Sequence, residues 1–198
     1  MEIVLATRNK KKVEEMRRIL RLEEMTLLTL DSFPFCPEVE EDADSFEGNA
    51  RKKALAIAQC TGKTAVADDS GLEVYALGGA PGVLSARYAG EGASDEANME
   101  KLLCALEAVP EEERGARFVC CIVLAFPGGE TVSFSGTVEG TIGREGRGRK
   151  GFGYDPLFYP EGHSRTFAEM EPGEKDALSH RKRALEKLAE YLRAPAGG

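Results

Sequence analysis

Ile3-Val4-Leu5-Ala6 is a short apolar run that stops at polar Thr7, and beyond Asn9 the residues Val13, Met16, Ile19 and Leu20 recur at helical spacing. A chain that opens strand, polar loop, helix must bury that strand under helices, as α/β proteins do. The alternation continues. Met25 to Leu30 reads as a second strand. Residues 31–44 read as a loop, with Asp31, Pro34 and Pro37 as breakers and an acidic cluster at Glu38, Glu40, Glu41, Asp42 and Asp44. The spacing predicts a helix from about Ser45 to Gln59, with Ala50, Ala54, Ile57 and Ala58 on one side and Thr61-Gly62 as its stop. Thr64 to Ala67 reads as a short strand closed by Asp68-Asp69-Ser70-Gly71, with strand resuming over Leu72 to Leu77. Ser94 can cap a helix carrying Met99, Leu102, Leu103 and Leu106. Ala116 to Phe126 and Thr131 to Val138 form a hairpin around Pro127-Gly128-Gly129-Glu130. A glycine- and arginine-rich loop spans Gly140 to Gly153, and a last helix runs from about Pro172 to Leu192. This order predicts a mixed sheet flanked by helices.

At roughly 100–200 residues per domain, 198 residues make one domain, or two small lobes sharing one core. The longest apolar stretch lies within Phe118 to Phe126, too short to span a bilayer. The N-terminus reaches polar Thr7-Arg8-Asn9 at once, so no signal peptide is expected. The cysteines (Cys36, Cys60, Cys104, Cys120, Cys121) are odd in number and contain no C-x-x-C pair. This argues for a reducing cytoplasm and against a disulfide framework. With only His163 and His180, a His-rich zinc site is excluded. A net charge of −8 argues against nucleic-acid and membrane partners, which need a basic field.

The basic residues are nonetheless clustered: Arg8, Lys10, Lys11 and Lys12 in the first loop, Arg51 to Lys53 in the second helix, Arg144 to Lys150 in the glycine loop, and Lys175 with His180 to Arg183 near the last helix. Each cluster alone is what a solvated face would show. Together, on an acidic chain and at loop–helix junctions, they suit a small polyanion such as a phosphate compound. Thr7 and Asn9 can donate side-chain hydrogen bonds there and Lys12 can serve as a counter-charge, although no P-loop is present. Neighbouring Asp68 and Asp69 repel unless a cation or a proton intervenes, and oxygen ligands beside a phosphate substrate suit Mg²⁺. Gly151-Phe152-Gly153-Tyr154-Asp155-Pro156 combines bare backbone, aromatic faces and a carboxylate, which suits stacking on a base. No nucleophile elbow supports a Ser–His–Asp triad, and neither Cys60 nor the Cys120-Cys121 pair has the basic neighbours of a reactive thiol.

In this order and at matching spacing, six stretches resemble the inosine triphosphate pyrophosphatase family. They are Ala6 to Lys12; Phe46 to Ala50 with Lys53; Ala67 to Leu72; Gly78 to Gly82 followed by Ser85-Ala86-Arg87-Tyr88; Gly151 to Pro156; and Ser179-His180-Arg181. The match runs from residue 1 to about 193, with Arg8 a departure where many relatives have Gly. The resemblance implies an α/β fold whose long mixed central sheet is flanked by helices, with a substrate cleft between two lobes of one domain, 1–198, usually as a homodimer. It implies Mg²⁺-dependent hydrolysis of the deaminated purine triphosphates ITP, dITP and XTP to the monophosphate and pyrophosphate. Thr7, Asn9, Lys12 and Lys53 would then hold the triphosphate, with Arg8, Lys10 and Lys11 in the same loop. Glu40 and Asp69 would bind the metal, Asp69 being also the general base. Glu41 is the alternative to Glu40, which is favoured by its distance to the Phe46–Asn49 motif. Ser70 would contact the nucleotide, and Phe152 would stack on the base beside Gly153, Tyr154 and Asp155. Lys175, His180 and Arg181 would read the purine edge. A broad-specificity triphosphate pyrophosphatase and a non-hydrolysing nucleotide sensor are the alternatives.

Overall fold

The computed structural model describes residues 1–20 and 25–194. Its strands are β1 (Glu2–Leu5), β2 (Thr26–Thr29), β3 (Thr64–Val74), β4 (Gly115–Ala125), β5 (Thr131–Ile142) and β6 (Phe158–Pro160). Its helices are α1 (Lys10–Ile19), α2 (Phe46–Thr61), α3 (Asp95–Ala105), α4 (Pro172–Leu178) and α5 (His180–Arg193). The strands form one sheet in the order β2-β1-β3-β4-β5-β6. β1 pairs parallel with β2 and β3, while β6 pairs antiparallel with β5, so the sheet is mixed.

The chain divides into two compact units. The first contains residues 1–69, 120–136 and 181 onwards; the second contains 70–119 and 137–180. In the first unit the strands are buried on both faces with period-2 alternation. Ile3, Leu5, Val66, Cys120, Ile122 and Leu124 join Met16 of α1 and Leu185 and Leu188 of α5 in one cluster. Val4, Ala65, Ala67 and Val123 pack with Ala50, Ala54, Ile57 and Ala58 of α2 in another. The alanines of α2 form its sheet-facing stripe. Ser45 caps its start by accepting from Gly48 N–H, and Gly62 ends it at φ 64°, a left-handed conformation that glycine adopts without a Cβ penalty. In the second unit, Leu72, Val74, Phe118, Val138 and Ile142 from β3, β4 and β5 pack with Leu102, Phe158, Phe167 and Met170.

The structure differs from the sequence expectations in four places. Asp68-Asp69-Ser70-Gly71 does not close the strand: β3 runs unbroken through it to Val74. The carboxylates are tolerated in mid-strand because cations meet them there, as described below. β5 continues past Val138 to Ile142. Gly140 belongs to this strand because β6 approaches closely, so that a Cβ at Gly140 would lie 2.2 Å from the Tyr159 carbonyl oxygen. The single C-terminal helix is two helices, α4 and α5, separated by Ser179, which is extended at φ −68° and ψ 149°. Finally, Cys36 and Cys60 are disulfide-bonded, against the expectation that no disulfide forms. The 31–44 loop folds back along α2, an approach that cysteine spacing does not reveal.

Candidate active site

In the first unit, β1 ends at Leu5 and the chain enters the Thr7–Asn9 loop. Thr7 Oγ1 accepts from Asn9 N–H at 3.2 Å, and Asn9 Oδ1 caps α1 by accepting from the N–H groups of Lys11 (3.0 Å) and Lys12 (3.3 Å). The cap leaves the donor nitrogen of Asn9 outside these bonds. Lys12 Nζ lies 3.1 Å from Asp68 Oδ2. Lys10 and Lys11 are exposed. Arg8, the departure in this loop, donates to the Cys36 carbonyl at 3.2 Å and so ties the loop to the 33–36 segment.

Asp68 and Asp69 lie next to one another in β3, yet their surroundings push them in opposite directions. Arg181 places Nε at 3.3 Å and NH2 at 3.1 Å from Asp68 Oδ2, while its NH1 donates to Glu15 of α1. Two cations, Lys12 and Arg181, therefore balance two buried carboxylates. Burial pushes the Asp68 carboxyl up, but Lys12 and Arg181 outweigh it and hold the group well below the usual carboxylate range. Burial likewise pushes the Lys12 ammonium down, and Asp68 more than restores it.

Asp69 is a different case. Its Oδ2 accepts from Asn49 Nδ2 at 3.1 Å, and Asn49 Oδ1 in turn accepts from Ala43 N–H at 2.9 Å. Lys53 Nζ lies 4.0 Å from Asp69 Oδ1 and 2.9 Å from Glu41 Oε1. One lysine is thus shared by two carboxylates. Burial pushes the Asp69 carboxyl up to about 6, with Glu41 adding to the rise and Lys53 and Lys12 opposing it. A base with a pKa near neutrality is matched to proton abstraction from water.

This environment fits a divalent cation. Asp69 and Glu41 carry one negative charge more than Lys53 offsets, and the buried Asp68 Oδ1 accepts no hydrogen bond. No group of three or more His, Cys, Asp or Glu converges among the described residues. A Mg²⁺ ion here would take one or two carboxylates and complete its shell with water and substrate phosphate. Of the two acidic candidates, the structure brings Glu41 to Lys53 and leaves Glu40 exposed on the same segment.

Ser70, the next residue, is half-buried and belongs to the second unit. That unit also holds the aromatic loop. Asp155 Oδ2 accepts from Phe152 N–H at 3.0 Å and from Lys175 Nζ at 2.6 Å. Lys175 Nζ sits 4.8 Å from the centroid of the Phe152 ring. Gly151 must be glycine: its φ is 74°, and a Cβ would lie 2.0 Å from Asp155 Oδ2. Gly153 N–H donates to Asp95 Oδ2, and Tyr154 Oη donates to the Ser85 carbonyl, both at 2.8 Å. His180 is buried and stacks on Phe118 at 4.9 Å between centroids.

Arg181 is 1% exposed and has all three guanidinium nitrogens on carboxylates, so it braces Asp68. Sequence reasoning gave no role to Glu15, Asn49 or Asp95. Glu15 had a signal, since it follows Lys12 by three residues on one helix face. Asn49 stood inside a quoted motif, whereas Asp95 had no signal because its partner is 58 residues away.

The chain matches the model of the Ham1 family over residues 3–191. It belongs to the Ham1 family. A dITP/XTP pyrophosphatase of Geobacter sulfurreducens is 55% identical over 190 residues, covering 96% of each chain. One of Desulforamulus reducens is 52% identical over 192 residues, covering 97% of this chain and 96% of that one. The solved structure of a HAM1 protein from Coxiella burnetii superposes with a TM-score of 0.91 at 45% identity, over 98% of this chain and all of that one. The α/β fold with its mixed six-stranded sheet is therefore that of Ham1 proteins.

Proposed function

We propose that this Ham1-family chain is an enzyme that hydrolyses deaminated purine nucleoside triphosphates (ITP, dITP and XTP) to the monophosphate and pyrophosphate. The observation that carries this reading is Asp69, a buried carboxyl raised to about 6, which shares Lys53 with Glu41 so that the two carboxylates carry one negative charge more than that lysine offsets. The names of the relatives support the substrate class.

In this reading Thr7, Asn9, Lys12 and Lys53 hold the triphosphate, with Lys10 and Lys11 adding positive field and Arg8 fixing the loop. Asp69 takes the proton of the attacking water. Lys12 and Lys53 offset charge as it moves onto the leaving pyrophosphate, the main source of stabilisation in phosphoryl transfer. Asp69 with Glu40, the acidic neighbour that is not paired to Lys53, would hold Mg²⁺, which when bound neutralises phosphate charge. Ser70 contacts the nucleotide. Phe152 stacks on the base beside Gly153, Tyr154 and Asp155. Lys175 and His180 read the C6 carbonyl that distinguishes inosine and xanthine from adenine. Rejection of GTP, which shares that carbonyl, follows from the family resemblance alone. The same resemblance supports a homodimer. No helix among the described residues is long and apolar enough to cross a membrane.

Product analysis tests the reaction. ITP should give IMP and pyrophosphate in equal amounts; IDP and orthophosphate would show cleavage at the wrong bond. Lys12→Ala should weaken binding of a non-hydrolysed triphosphate analogue by about 1.5–3 kcal/mol, the range of a hydrogen bond to a charged group, and weaken IMP much less. Calorimetry with both ligands checks this, and equal losses would remove Lys12 from the β- and γ-phosphates.

A further inference from the structure

The loop Gly151–Asp155 is bonded through Gly153 and Tyr154 to a scaffold that none of the roles above includes. Asn98 of α3 is 3% exposed, and its side chain accepts from Ala89 N–H at 2.7 Å and donates to the Ala86 carbonyl at 3.1 Å. Those two bonds join α3 to the 3₁₀ segment Gly82–Arg87 and to Ala89 just beyond it; within that segment Ser85 Oγ accepts from Leu72 N–H of β3 at 2.9 Å. The aromatic loop docks on this joined piece twice. Tyr154 Oη reaches the Ser85 carbonyl, and Gly153 N–H reaches the carboxylate of Asp95, the first residue of α3.

Phe152 lies between two fixed points. Its own N–H is held by Asp155 from within the loop, and the next N–H, that of Gly153, is held by Asp95 from outside it. Gly153 is in the left-handed region at φ 62°, so the backbone there is freest where the Asp95 bond acts. We propose that Asp95 is a positioning residue for base recognition: through Gly153 it fixes the plane of the Phe152 ring, and through that the affinity for the nucleobase. The proposal rests on the reading of Phe152 as the base platform.

The test compares wild type, Asp95→Ala and Asp95→Asn, in which the amide oxygen can still accept from Gly153 N–H. Three quantities are measured: steady-state kinetics with ITP, inhibition by inorganic tripolyphosphate, and amide hydrogen exchange over residues 151–155. Asp95→Ala should raise KM for ITP about 3- to 10-fold, the range one net hydrogen bond supplies. Its kcat should stay within about twofold and the tripolyphosphate Ki should not move, since one loop bond does not reach the phosphate-binding lysines. Asp95→Asn should restore most of the lost affinity. Exchange at the Gly153 amide should accelerate in Asp95→Ala alone. An unchanged KM with accelerated exchange would overturn the positioning role, and a parallel rise in the tripolyphosphate Ki would show a general structural effect instead. Unchanged exchange would overturn the contact itself. A wild type that hydrolyses no triphosphate would sink the reaction reading, whereas its exchange pattern would still report on Asp95.

Discussion

Asp69→Asn should abolish nearly all turnover in a protein that melts at or above the wild-type temperature. Removing a general base typically lowers rate by about 10²–10⁴-fold, and here the same substitution also removes a charge that would hold the metal. The stability side follows from the raised carboxyl. Its value in the fold, about 6, lies above the ordinary 3.8, so the fold favours the protonated form. Ionising Asp69 therefore lowers stability as pH rises from about 3.8 through about 6, unless a cation compensates. Asn at this position carries no such penalty and keeps an oxygen for Asn49 Nδ2. The wild-type acid limb of kcat should lie at or below about pH 6, since a bound cation would hold the carboxylate ionised to lower pH. Activity near wild type in a folded Asp69→Asn protein would remove Asp69 from the chemistry.

The second large effect is on the fold. Arg181→Ala should destabilise the protein by about 3–5 kcal/mol, the cost of leaving buried ion-pair partners uncompensated. The side chain is fully buried, and its loss takes a hydrogen-bonded cation from both Glu15 and Asp68. Urea unfolding at neutral pH measures the loss. Asp68 gives it a pH signature with the opposite sign to Asp69. Because its carboxyl is held below the ordinary value, its contribution is present above about 3.8 and is lost as pH falls further. Much of the penalty in Arg181→Ala should therefore fade on acidification. A loss below about 1 kcal/mol would place Arg181 among the surface pairs that contribute little.

Much of this arrangement was legible in the sequence, for identifiable reasons. The opening strand, loop and helix follow from Ile3 to Leu20 because apolar period and an Asn cap coincide there. Asp69 and Lys12 stand out as candidates because adjacent carboxylates repel unless a cation or a proton intervenes, and a lysine at a helix start suits a phosphate. Asp68-Asp69-Ser70-Gly71 reads as the close of a strand because its composition is unfavourable there, and tertiary ion pairing carries β3 through it. The brace role of Arg181 depends on Glu15, 166 residues away, and the Gly153–Asp95 bond also crosses the chain. Local spacing carries no information about such pairs. The Cys36–Cys60 bond was missed for the same reason.

Pyrophosphate release across ATP, dATP, GTP, ITP, dITP and XTP, with and without Mg²⁺, tests the central claim most directly. If Lys175 and His180 present donors to the C6 carbonyl, as proposed, the adenine amino group would face donors and leave them unpaired. A site built on such bonds can discriminate by roughly 10⁴–10⁵. ITP, dITP and XTP should exceed ATP in kcat/KM by orders of magnitude, with no release when Mg²⁺ is chelated. Comparable kcat/KM for ATP and ITP, or undiminished release without a divalent cation, would contradict the account.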